Sequence, residues 1–382
     1  MKRKDFSDLS IQAQHEKISY FEHEDFIAGV PPYTRGLNAT TVLKKQLTIQ
    51  LLVNFSSPVK SNTFIKENTD YKSIILEINT LPTINSGIYI SSIEDMKLLL
   101  NELPLHKLSI TLSTKNSILI VLGLFIAASK QLGFKEETLN LSVNYNYKNA
   151  LINSNFYFNT IETILTYSTK NLPKFKTLSI SAIQPNLKSS IENELAFFLA
   201  ETYENLNNCI LHGVLVDAVA SKISFNYNIS GDHLLEISKM RAARLLWAKM
   251  IHLLKPKQQY SFALQIHSTE NFSNYHKVFS AILGGAQRII SNKNTFLIFE
   301  NETHITKTID PWAGSTFIEK TTEEISIKAW TLFEKILSKG GFSQITAQEN
   351  LKIEKVKDNS FQLIIEAAKN NATIEELNSI VF

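Results

Sequence analysis

Glycine is scarce in this sequence, with 12 residues among 382, roughly half of the usual share of about 7%. Because glycine lets the backbone pack closely around phosphate groups, few segments could form a nucleotide-binding loop. Neither GxGxxG nor GxxxxGK followed by Ser or Thr occurs. These absences argue against a self-contained nucleotide enzyme of the common kinds.

Cysteine is limited to Cys209, which excludes an intramolecular disulfide and a CxxC metal pair. Cys209 lies in an apolar helical pattern, so we predict a buried, structural side chain. The 9 histidines include no HExxH or other compact pattern, and no metal site is predicted. The net charge is only +3, and no dense basic patch is interleaved with aromatic residues, which argues against a nucleic-acid partner.

Long apolar runs are missing as well. The basic start of the sequence, MKRKDF, is followed by no apolar stretch, which argues against a signal peptide. The most apolar segment, Ile118 to Ala128, is too short to span a bilayer. We therefore predict a cytoplasmic protein without a membrane partner.

Strand-like and helical segments alternate regularly along the chain. The strand-like runs are rich in β-branched residues and cover Leu47–Phe55, Ser73–Asn79, Leu108–Leu112, Leu139–Tyr145, Thr177–Ile183, Lys222–Tyr227 and Ser261–His267. The helical segments include Ile93–Leu103, Ser117–Leu132, Thr160–Thr169, Ile191–Leu211 and His233–Leu254. Repeated strand–helix units predict a parallel sheet, and seven or eight of them favour a closed (β/α)8 barrel. A doubly wound open sheet is the alternative, disfavoured because no glycine-rich turn follows the first strand.

The alternation stops at about Asp310. The segment DPWAGSTFIEK predicts a turn and a short strand, followed by a long helix that ends at Gly340-Gly341. The predicted fold class is α/β, a (β/α)8 TIM barrel with an N-terminal arm and C-terminal helices. The predicted division is an arm over 1–30, a barrel over 31–320 and a helical extension over 321–382.

Few residues suggest chemistry by themselves. His267 ends the seventh strand-like run, at the barrel edge where active sites are built, although it could simply satisfy the strand end. Arg241 and Arg244 share a helix face and could clamp an anion, but a solvated face with salt bridges is the simpler interpretation. Residue patterns alone thus indicate a barrel with a candidate ligand site, without indicating a reaction.

Several longer segments match one family in order. They are GVPPYTRGLNAT (29–40), SIEDMKLLLNELPLHKLSITLS (92–113), LTYSTKNLPKFKTLSIS (165–181), LLEISKMRAARLLWAKMI (234–251), HSTENFS (267–273) and DPWAGSTFIE (310–319). The KMRAARLLWAKM helix and the DPWAGS turn are the most specific of them. Through these segments the sequence resembles the methylmalonyl-CoA mutase family over most of its length.

The resemblance implies an acyl-CoA mutase-like barrel, through which the pantetheine chain of coenzyme A threads, normally followed by a flavodoxin-like cobalamin domain. It also implies radical rearrangement between methylmalonyl-CoA and succinyl-CoA, started by homolysis of adenosylcobalamin. Since the cofactor carries the difficult step, the protein of such an enzyme holds the radicals in a closed, dry site.

The cobalamin domain of the family is recognised by DxHxxG, whose histidine displaces the lower axial base. This sequence contains no DxHxxG and stops before such a domain would begin. We expect that this chain binds no cofactor by itself, and that adenosylcobalamin is bound by a partner subunit.

The first and fifth strand-like runs depart from the catalytic pattern. Catalytic members read TIRQYAGF where this chain reads TIQLLVNF, so Leu52 replaces the tyrosine beside the radical and Gln50 replaces an arginine that contacts coenzyme A. They read SISGYHMQ where this chain reads SISAIQPN, so Ile183 and Gln184 replace a Tyr-His pair. A glutamine can donate a hydrogen bond but cannot supply a proton. No catalytic residue is therefore assigned.

Four positions keep a residue type compatible with acyl-CoA binding. By the resemblance, the candidates are Lys45, Thr48, His267 and Ser268. Loss of the catalytic positions alongside retention of the packing segments implies the small, structural subunit of a heterodimeric methylmalonyl-CoA mutase. Such a subunit would dock to a large catalytic subunit and be inactive alone. The alternative is an acyl-CoA-binding barrel that acts with a separate cobalamin-binding subunit.

Overall fold

The computed structural model describes residues 26–37, 47–81, 87–114, 117–145, 154–181, 190–227, 229, 232–272, 275–291, 293–346 and 360–381. Most of the predicted N-terminal arm lies outside the described residues. The same holds for Lys45, Ile183 and Gln184.

A closed barrel of parallel strands forms the centre of the described chain. The strands are β1 (Thr48–Val53), β2 (Ser73–Asn79), β3 (Ile88–Tyr89), β4 (Ser109–Thr114), β5 (Asn140–Tyr145), β6 (Leu178–Ser181), β7 (Ile223–Tyr227), β8 (Gln265–Phe272) and β9 (Arg288–Ser291). Their order is β1-β9-β8-β7-β6-β5-β4-β2, and pairing of β1 with both β9 and β2 closes the ring. The short β3 extends β2 outside this ring. The predicted TIM barrel is confirmed.

Helices surround the barrel and follow its strands. They are α1 (Pro58–Glu67), α2 (Ile93–Leu100), α3 (Ile118–Gln131), α4 (Ser154–Asn171), α5 (Ile191–Leu211), α6 (Val216–Ala220), α7 (His233–Leu253), α8 (Tyr275–Leu283), α9 (Lys293–Asn301), α10 (Thr316–Ser338), α11 (Phe342–Thr346), α12 (Ser360–Lys369) and α13 (Ile374–Val381). Side-chain caps begin several of them. Ser92 accepts a hydrogen bond from the Asp95 amide at α2, and Asp232 accepts one from the Leu235 amide at α7.

Helix α3 accounts for the most apolar segment of the sequence. Every residue from Ile118 to Ser129 is buried, because α3 packs between the barrel and the C-terminal α12 and α13. A helix that is apolar all round must be buried on all sides. Within the part of the chain that the structure describes, no helix is both long and apolar enough to cross a membrane. Cys209 is buried in α5, as predicted.

One strand begins later than the sequence predicts, and one barrel strand was not predicted. The seventh strand does not begin at Ser261, because Asp217 accepts hydrogen bonds from the Ser261 hydroxyl (2.7 Å) and the Gln258 amide (3.0 Å) and holds this segment as a turn. The strand β8 instead begins at Gln265 and reaches Phe272. The eighth barrel strand, β9, has only four residues, RIIS, too few to show a periodicity.

The predicted short strand after Asp310 is also wrong. The DPWAG turn leads directly into α10, which begins at Thr316. Ile318, Glu319 and Thr322 of its first turns are buried against the rest of the fold. Tertiary packing therefore overrides the strand propensity of a β-branched segment.

Gly123 marks the contact between α3 and α12. A Cβ atom at this position would lie 2.5 Å from Cγ2 of Ile364. Ile364 is fully buried, and its β-branched side chain has little freedom to move aside. The alanine variant Gly123→Ala is expected to lower the free energy of unfolding by about 1–3 kcal/mol, despite the helix propensity that alanine adds. Urea unfolding measures this change.

A double variant identifies the clash as the cause. Ile364→Ala removes the obstructing methyl group, so the cost of Gly123→Ala should largely disappear in the Ile364→Ala background. Equal costs in the two backgrounds would contradict this account.

A carboxyl group is buried between α4 and α5. Tyr157 donates a short hydrogen bond to Oε1 of Glu201, whose side chain is buried and whose Oε2 has no hydrogen-bond partner. Burial raises the pKa of Glu201 to about 8, although the Tyr157 hydrogen bond opposes part of this rise. Glu201 is therefore protonated in the folded chain at neutral pH.

This carboxyl makes stability depend on pH. Between the ordinary glutamate pKa of 4.5 and a pKa of about 8, the folded chain keeps a proton that the unfolded chain releases. The stabilisation is complete below the lower value and is lost as pH rises toward the higher one. Glu201→Gln should flatten this decline, which thermal unfolding from pH 5 to pH 8 measures. The exposed Glu302→Gln is the control and should keep the original slope; a Glu201→Gln curve parallel to it would refute the assignment.

Candidate functional site

The barrel encloses a lumen lined by alternate residues of its strands. Successive side chains of a strand point to opposite faces, and the outward residues, such as Leu76, Val143 and Phe225, pack beneath the helices. The inward residues are mostly small and polar. The buried ones include Gln50, Ser73, Ser109, Thr111, Ser142, Asn144, Ser179, Ser224, Asn226, His267 and Arg288. This lining is polar, whereas branched aliphatic residues usually fill a barrel of this kind.

Side-chain hydrogen bonds connect non-neighbouring strands inside the lumen. Arg288 of β9 donates from Nη1 to Oγ of Ser142 on β5 at 2.7 Å, and these two strands lie opposite each other in the ring. Asn226 Nδ2 of β7 donates to Asn144 Oδ1 of β5 at 2.7 Å. The first contact ties opposite walls of the lumen together, whereas the second joins two strands that are separated only by β6.

A third set of hydrogen bonds inside the lumen begins at Gln50 of β1. Gln50 Nε2 donates to Ser73 Oγ and Thr111 Oγ1, each at 3.0 Å, and so connects β1, β2 and β4. Because these polar atoms are buried, each bond removes the cost of an unpaired group and holds the lumen in one arrangement.

Basic side chains gather at the amino-terminal end of the lumen. Burial lowers the pKa of Arg288 to about 10. Burial also lowers the pKa of Lys176, and the positive charge of Arg288 adds to this effect. For His267, burial and then these two cations hold the pKa well below its ordinary value, so its imidazole is neutral. A neutral imidazole of this kind does not serve as a general acid near neutral pH.

The structure separates the two retained β8 residues. His267 faces the lumen, where its Nδ1 lies 3.4 Å from Oγ of Ser179, and its buried Nε2 has no hydrogen-bond partner. Ser268 is the next residue of the strand and therefore points toward the helices, where it is buried. His267 and Ser268 thus do not share a site on the lumen.

The two described β1 positions lie at opposite ends of the strand. Thr48 begins β1 beside Arg288, its partner in the β1–β9 pairing, whereas Leu52 lies near the carboxyl end. Thr48 therefore shares the amino-terminal half of the lumen with His267 and the basic residues. The other three assigned positions, Lys45, Ile183 and Gln184, lie outside the described residues.

Sequence reasoning missed Arg288, Lys176 and the Asn144–Asn226 pair. The signal was the run of polar residues at every second position in SITLST, NLSVNY and ISFNY, which predicts a polar inward face. Among the described residues, no group of three or more His, Cys, Asp or Glu side chains could hold a metal ion.

The expectation of a solvated Arg241–Arg244 face is wrong, because both side chains are buried. Arg241 Nη2 donates to both carboxylate oxygens of Glu319, at 2.8 and 2.7 Å, and its Nη1 makes a short contact with Asp310. Arg35 also pairs with Asp310, its Nε lying 3.3 Å from Oδ2. A guanidinium this deeply buried requires such carboxylate partners.

Arg244 holds the turn before β9 by a different arrangement. Its guanidinium donates to the carbonyls of Gly284 (2.9 Å) and Gly285 (2.5 Å). Gly285 has a φ of 71°, and a Cβ there would lie 3.2 Å from Arg244 Nη2, so the turn requires glycine. A cavity of about 70 Å³ lies beside these arginines. Arg241 and Arg244 thus join α7 to neighbouring segments, and neither guanidinium lies on a solvated face.

Comparison with known proteins agrees with this architecture. The family model described as Methylmalonyl-CoA mutase matches residues 4–278 and 286–354. The methylmalonyl-CoA mutase large subunit of Porphyromonas gingivalis is 29% identical over 427 residues, an alignment covering 96% of this chain and 58% of that protein. Methylmalonyl-CoA mutase of Cereibacter sphaeroides is 28% identical, with 86% and 54% covered. The large subunit of Streptomyces virginiae is 29% identical, with 83% and 50% covered.

The chain thus spans about half the length of these curated relatives. The family model covers the barrel strands, the α7 helix with its buried arginines, and the DPWAGS turn that pairs with them. Because the match extends over most of its residues, this chain belongs to the methylmalonyl-CoA mutase family.

Proposed function

We propose that the chain is the small, non-catalytic subunit of a heterodimeric, adenosylcobalamin-dependent methylmalonyl-CoA mutase, and that it docks to a large catalytic subunit. The observation that carries this proposal is the hydrogen bond of Arg288 to Ser142 across the barrel lumen. The family resemblance implies that pantetheine threads along this axis, where the side chains of Arg288 and Ser142 now meet.

Opening the axis would break several buried hydrogen bonds. A hydrogen bond to a charged group contributes about 1.5–3 kcal/mol, and the Asn144–Asn226 bond adds about 0.5–1.5 kcal/mol. Gln50 stands at the position of an arginine that contacts coenzyme A in the family. Its side-chain amide already donates hydrogen bonds to Ser73 and Thr111. Leu52 replaces the tyrosine beside the radical with an alkyl side chain that makes no hydrogen bond. These features support a degenerate active site.

We propose that the large partner subunit, and not this chain, binds adenosylcobalamin. In the family the lower axial ligand of cobalamin is an imidazole. Among the described residues, His267 is the one histidine on a barrel strand, and it is 4% exposed inside the lumen. The described barrel residues therefore do not fit an axial-ligand site, and no step of cobalamin chemistry is assigned to them.

The names of the relatives support an assembly of unequal subunits, since those from P. gingivalis and S. virginiae are called large subunits. Co-expression with a large mutase subunit from the same genome tests the proposal. Size-exclusion chromatography with light scattering should find a one-to-one complex, while the chain alone shows no mutase activity. A chain that elutes separately from its intended partner would refute the subunit role. The predicted cytoplasmic location belongs to the same proposal.

The second candidate is an acyl-CoA-binding barrel that acts with a separate cobalamin-binding subunit. The short Ser73, Ser109, Ser142, Ser179 and Ser224 side chains favour it, because five strands place no bulky side chain at these lumen positions. Calorimetry with methylmalonyl-CoA distinguishes the two functions. Saturable binding that is lost on His267→Ala supports this candidate, whereas no binding at millimolar ligand supports the structural subunit.

A further inference from the structure

The cavity of about 70 Å³ beside the buried arginines is lined by segments from outside the barrel lumen. Its walls come from residues 34–37, from Leu47 just before β1, from helix α7, from residues 282–287 and from residues 305–310. Among its described lining residues there is none of the buried polar residues that face the lumen. We call it the arginine cavity, because Arg35, Arg241 and Arg244 all line it.

Three buried polar atoms of this lining have no hydrogen-bond partner within the described part of the chain. They are Nε of Arg241, Nε of Arg244 and Oγ1 of Thr34. Both arginines are 1% exposed, and Thr34 is fully buried. Arg241 and Arg244 lie three residues apart on α7, so their side chains share a helix face. Because buried polar atoms in folded proteins nearly always have partners, these donors indicate an acceptor that the chain itself does not supply.

The cavity also has an excess of one positive charge. Arg241 pairs with both Asp310 and Glu319, and Arg35 adds a second cation at Asp310, so these four charges balance. Arg244 makes no ion pair with a described carboxylate, and its terminal nitrogens donate to backbone carbonyls. Burial lowers the pKa of Arg244 to about 10, although the charge of Asp310 opposes part of this change, so Arg244 is charged at neutral pH. Since a buried charge without a counter-charge is destabilising, a bound anion of single charge would stabilise this region.

The remaining walls are apolar and limit the size of the anion. They are formed by Leu37, Leu47, Ile282, Leu283, Ile305 and Ile309. One water molecule needs about 10–15 Å³ of such space, so the cavity admits about five to seven non-hydrogen atoms. The exposed Thr308 also lines the cavity, which places part of its wall at the surface. An anion with a short apolar tail therefore matches this lining better than an inorganic ion does.

We propose that the arginine cavity binds a short-chain aliphatic monocarboxylate of about four carbons. Its carboxylate accepts hydrogen bonds from Nε of Arg241, from Nε of Arg244 and from the Thr34 hydroxyl, and its tail packs against the leucine and isoleucine side chains. A carboxylate suits guanidinium donors because it offers two acceptor oxygens in one plane. Its single charge balances that of Arg244. This site does not depend on the proposed subunit role.

Isothermal titration calorimetry of the purified full chain with butyrate tests the site. Binding should be one-to-one, with a Kd of about 1 mM or below. Acetate lacks two methylene groups and should bind about 10-fold more weakly. Butyramide has a similar shape but no charge, so it should not bind measurably. Equal binding of butyramide and butyrate, or no binding at millimolar butyrate, would overturn the proposal, and the second result would indicate a cavity filled by water only.

A threonine variant tests the donors without removing a cation. Thr34→Val should lower the butyrate affinity about 10- to 100-fold. It should leave the ligand-free fold intact, because this hydroxyl has no partner there. Arg244→Gln should abolish binding, and Thr34→Val keeps the test valid if that variant fails to fold. Thr202→Val is the matched control, since Thr202 is fully buried in α5 with an unpartnered hydroxyl but does not line the cavity. Full affinity in Thr34→Val, or an equal loss in Thr202→Val, would refute the site.

A second control distinguishes this cavity from the barrel lumen, which also contains cations. Lys176→Gln removes an exposed ammonium group at the amino-terminal end of the lumen and should leave the butyrate affinity unchanged. A loss of affinity in Lys176→Gln that matches the loss in Thr34→Val would place the ligand elsewhere and contradict the proposal.

Discussion

Replacing Arg241 by leucine is expected to lower the free energy of unfolding by about 3–5 kcal/mol. The substitution leaves the buried carboxylates of Asp310 and Glu319 without their shared cation. Glu319 would keep the hydrogen bond from the Gly314 amide, at 2.9 Å, but would lose the guanidinium that contacts both of its oxygens. Arg35 is partly exposed, and among the described residues its ion pair is with Asp310 and not with Glu319, so it cannot replace the lost guanidinium. Urea unfolding followed by circular dichroism measures the loss.

An exposed ion pair provides the comparison for Arg241. Lys328 lies 4.0 Å from Glu192 on the surface, with 62% of its side chain exposed. Lys328→Leu should therefore change stability by less than about 1 kcal/mol. The stability cost of Arg241→Lys should fall between the two, because lysine keeps the charge but lacks the planar guanidinium that contacts Asp310 through Nη1 and Glu319 through Nη2 at the same time. A cost for Arg241→Leu no larger than that of Lys328→Leu would show that the buried cluster contributes little.

Replacing Trp247 by alanine is expected to cost a similar amount, about 3–5 kcal/mol. Trp247 is fully buried in α7, where its ring stacks on Phe198 of α5 with centroids 6.2 Å apart. Its Nε1 also donates to the Ser261 carbonyl at 3.1 Å. Alanine would leave a large cavity and an unpaired carbonyl, and the neighbouring helices can fill the space only in part.

Two variants separate these contributions. Trp247→Phe keeps most of the packing but removes the donor, so its cost should be clearly smaller than that of alanine. Trp330→Ala removes a half-buried tryptophan that lies under the Lys249 ammonium group, 4.0 Å from the ring centroid, and should cost about 1 kcal/mol. Equal shifts of the thermal midpoint in Trp247→Ala and Trp330→Ala would contradict the larger contribution of Trp247 to stability.

Both substitutions with large expected effects, at Arg241 and Trp247, lie in the KMRAARLLWAKM helix. Arg241 ties this helix to the DPWAGS turn and α10, and Trp247 ties it to α5 and to the turn before β8. The segments that most resemble the family are thus packing elements. They preserve the barrel whether or not its lumen binds a substrate, which agrees with the proposed structural role.

Sequence patterns located most strands but not every boundary. Runs such as Ser73–Asn79 were long and β-branched enough to be recognised, and the observed β2 has the same ends. The four-residue β9 was missed because pairing with β1 and β8, rather than its own pattern, makes it a strand. The start of β8 depended on Asp217, which lies far away in sequence from the turn that it caps. Such contacts leave no local periodicity.

The candidate site also has features that the sequence indicated and features that it did not. Sequence comparison identified Gln50 and Leu52 as replaced positions, and it selected His267 as a residue of interest. It could not indicate that Gln50 bonds Ser73 and Thr111, because those partners come from other strands. It also treated Arg241 and Arg244 as surface residues, since their carboxylate and carbonyl partners follow much later in the chain.

The sequence by itself determined the alternation of strands and helices, the polar inward face of the strands and the family. These properties follow from local periodicity and from residue identity. Only the tertiary structure decided which polar residues meet across the lumen and which arginines are buried. Those outcomes depend on closure of the ring, which brings β9 opposite β5 and places Arg288 within reach of Ser142.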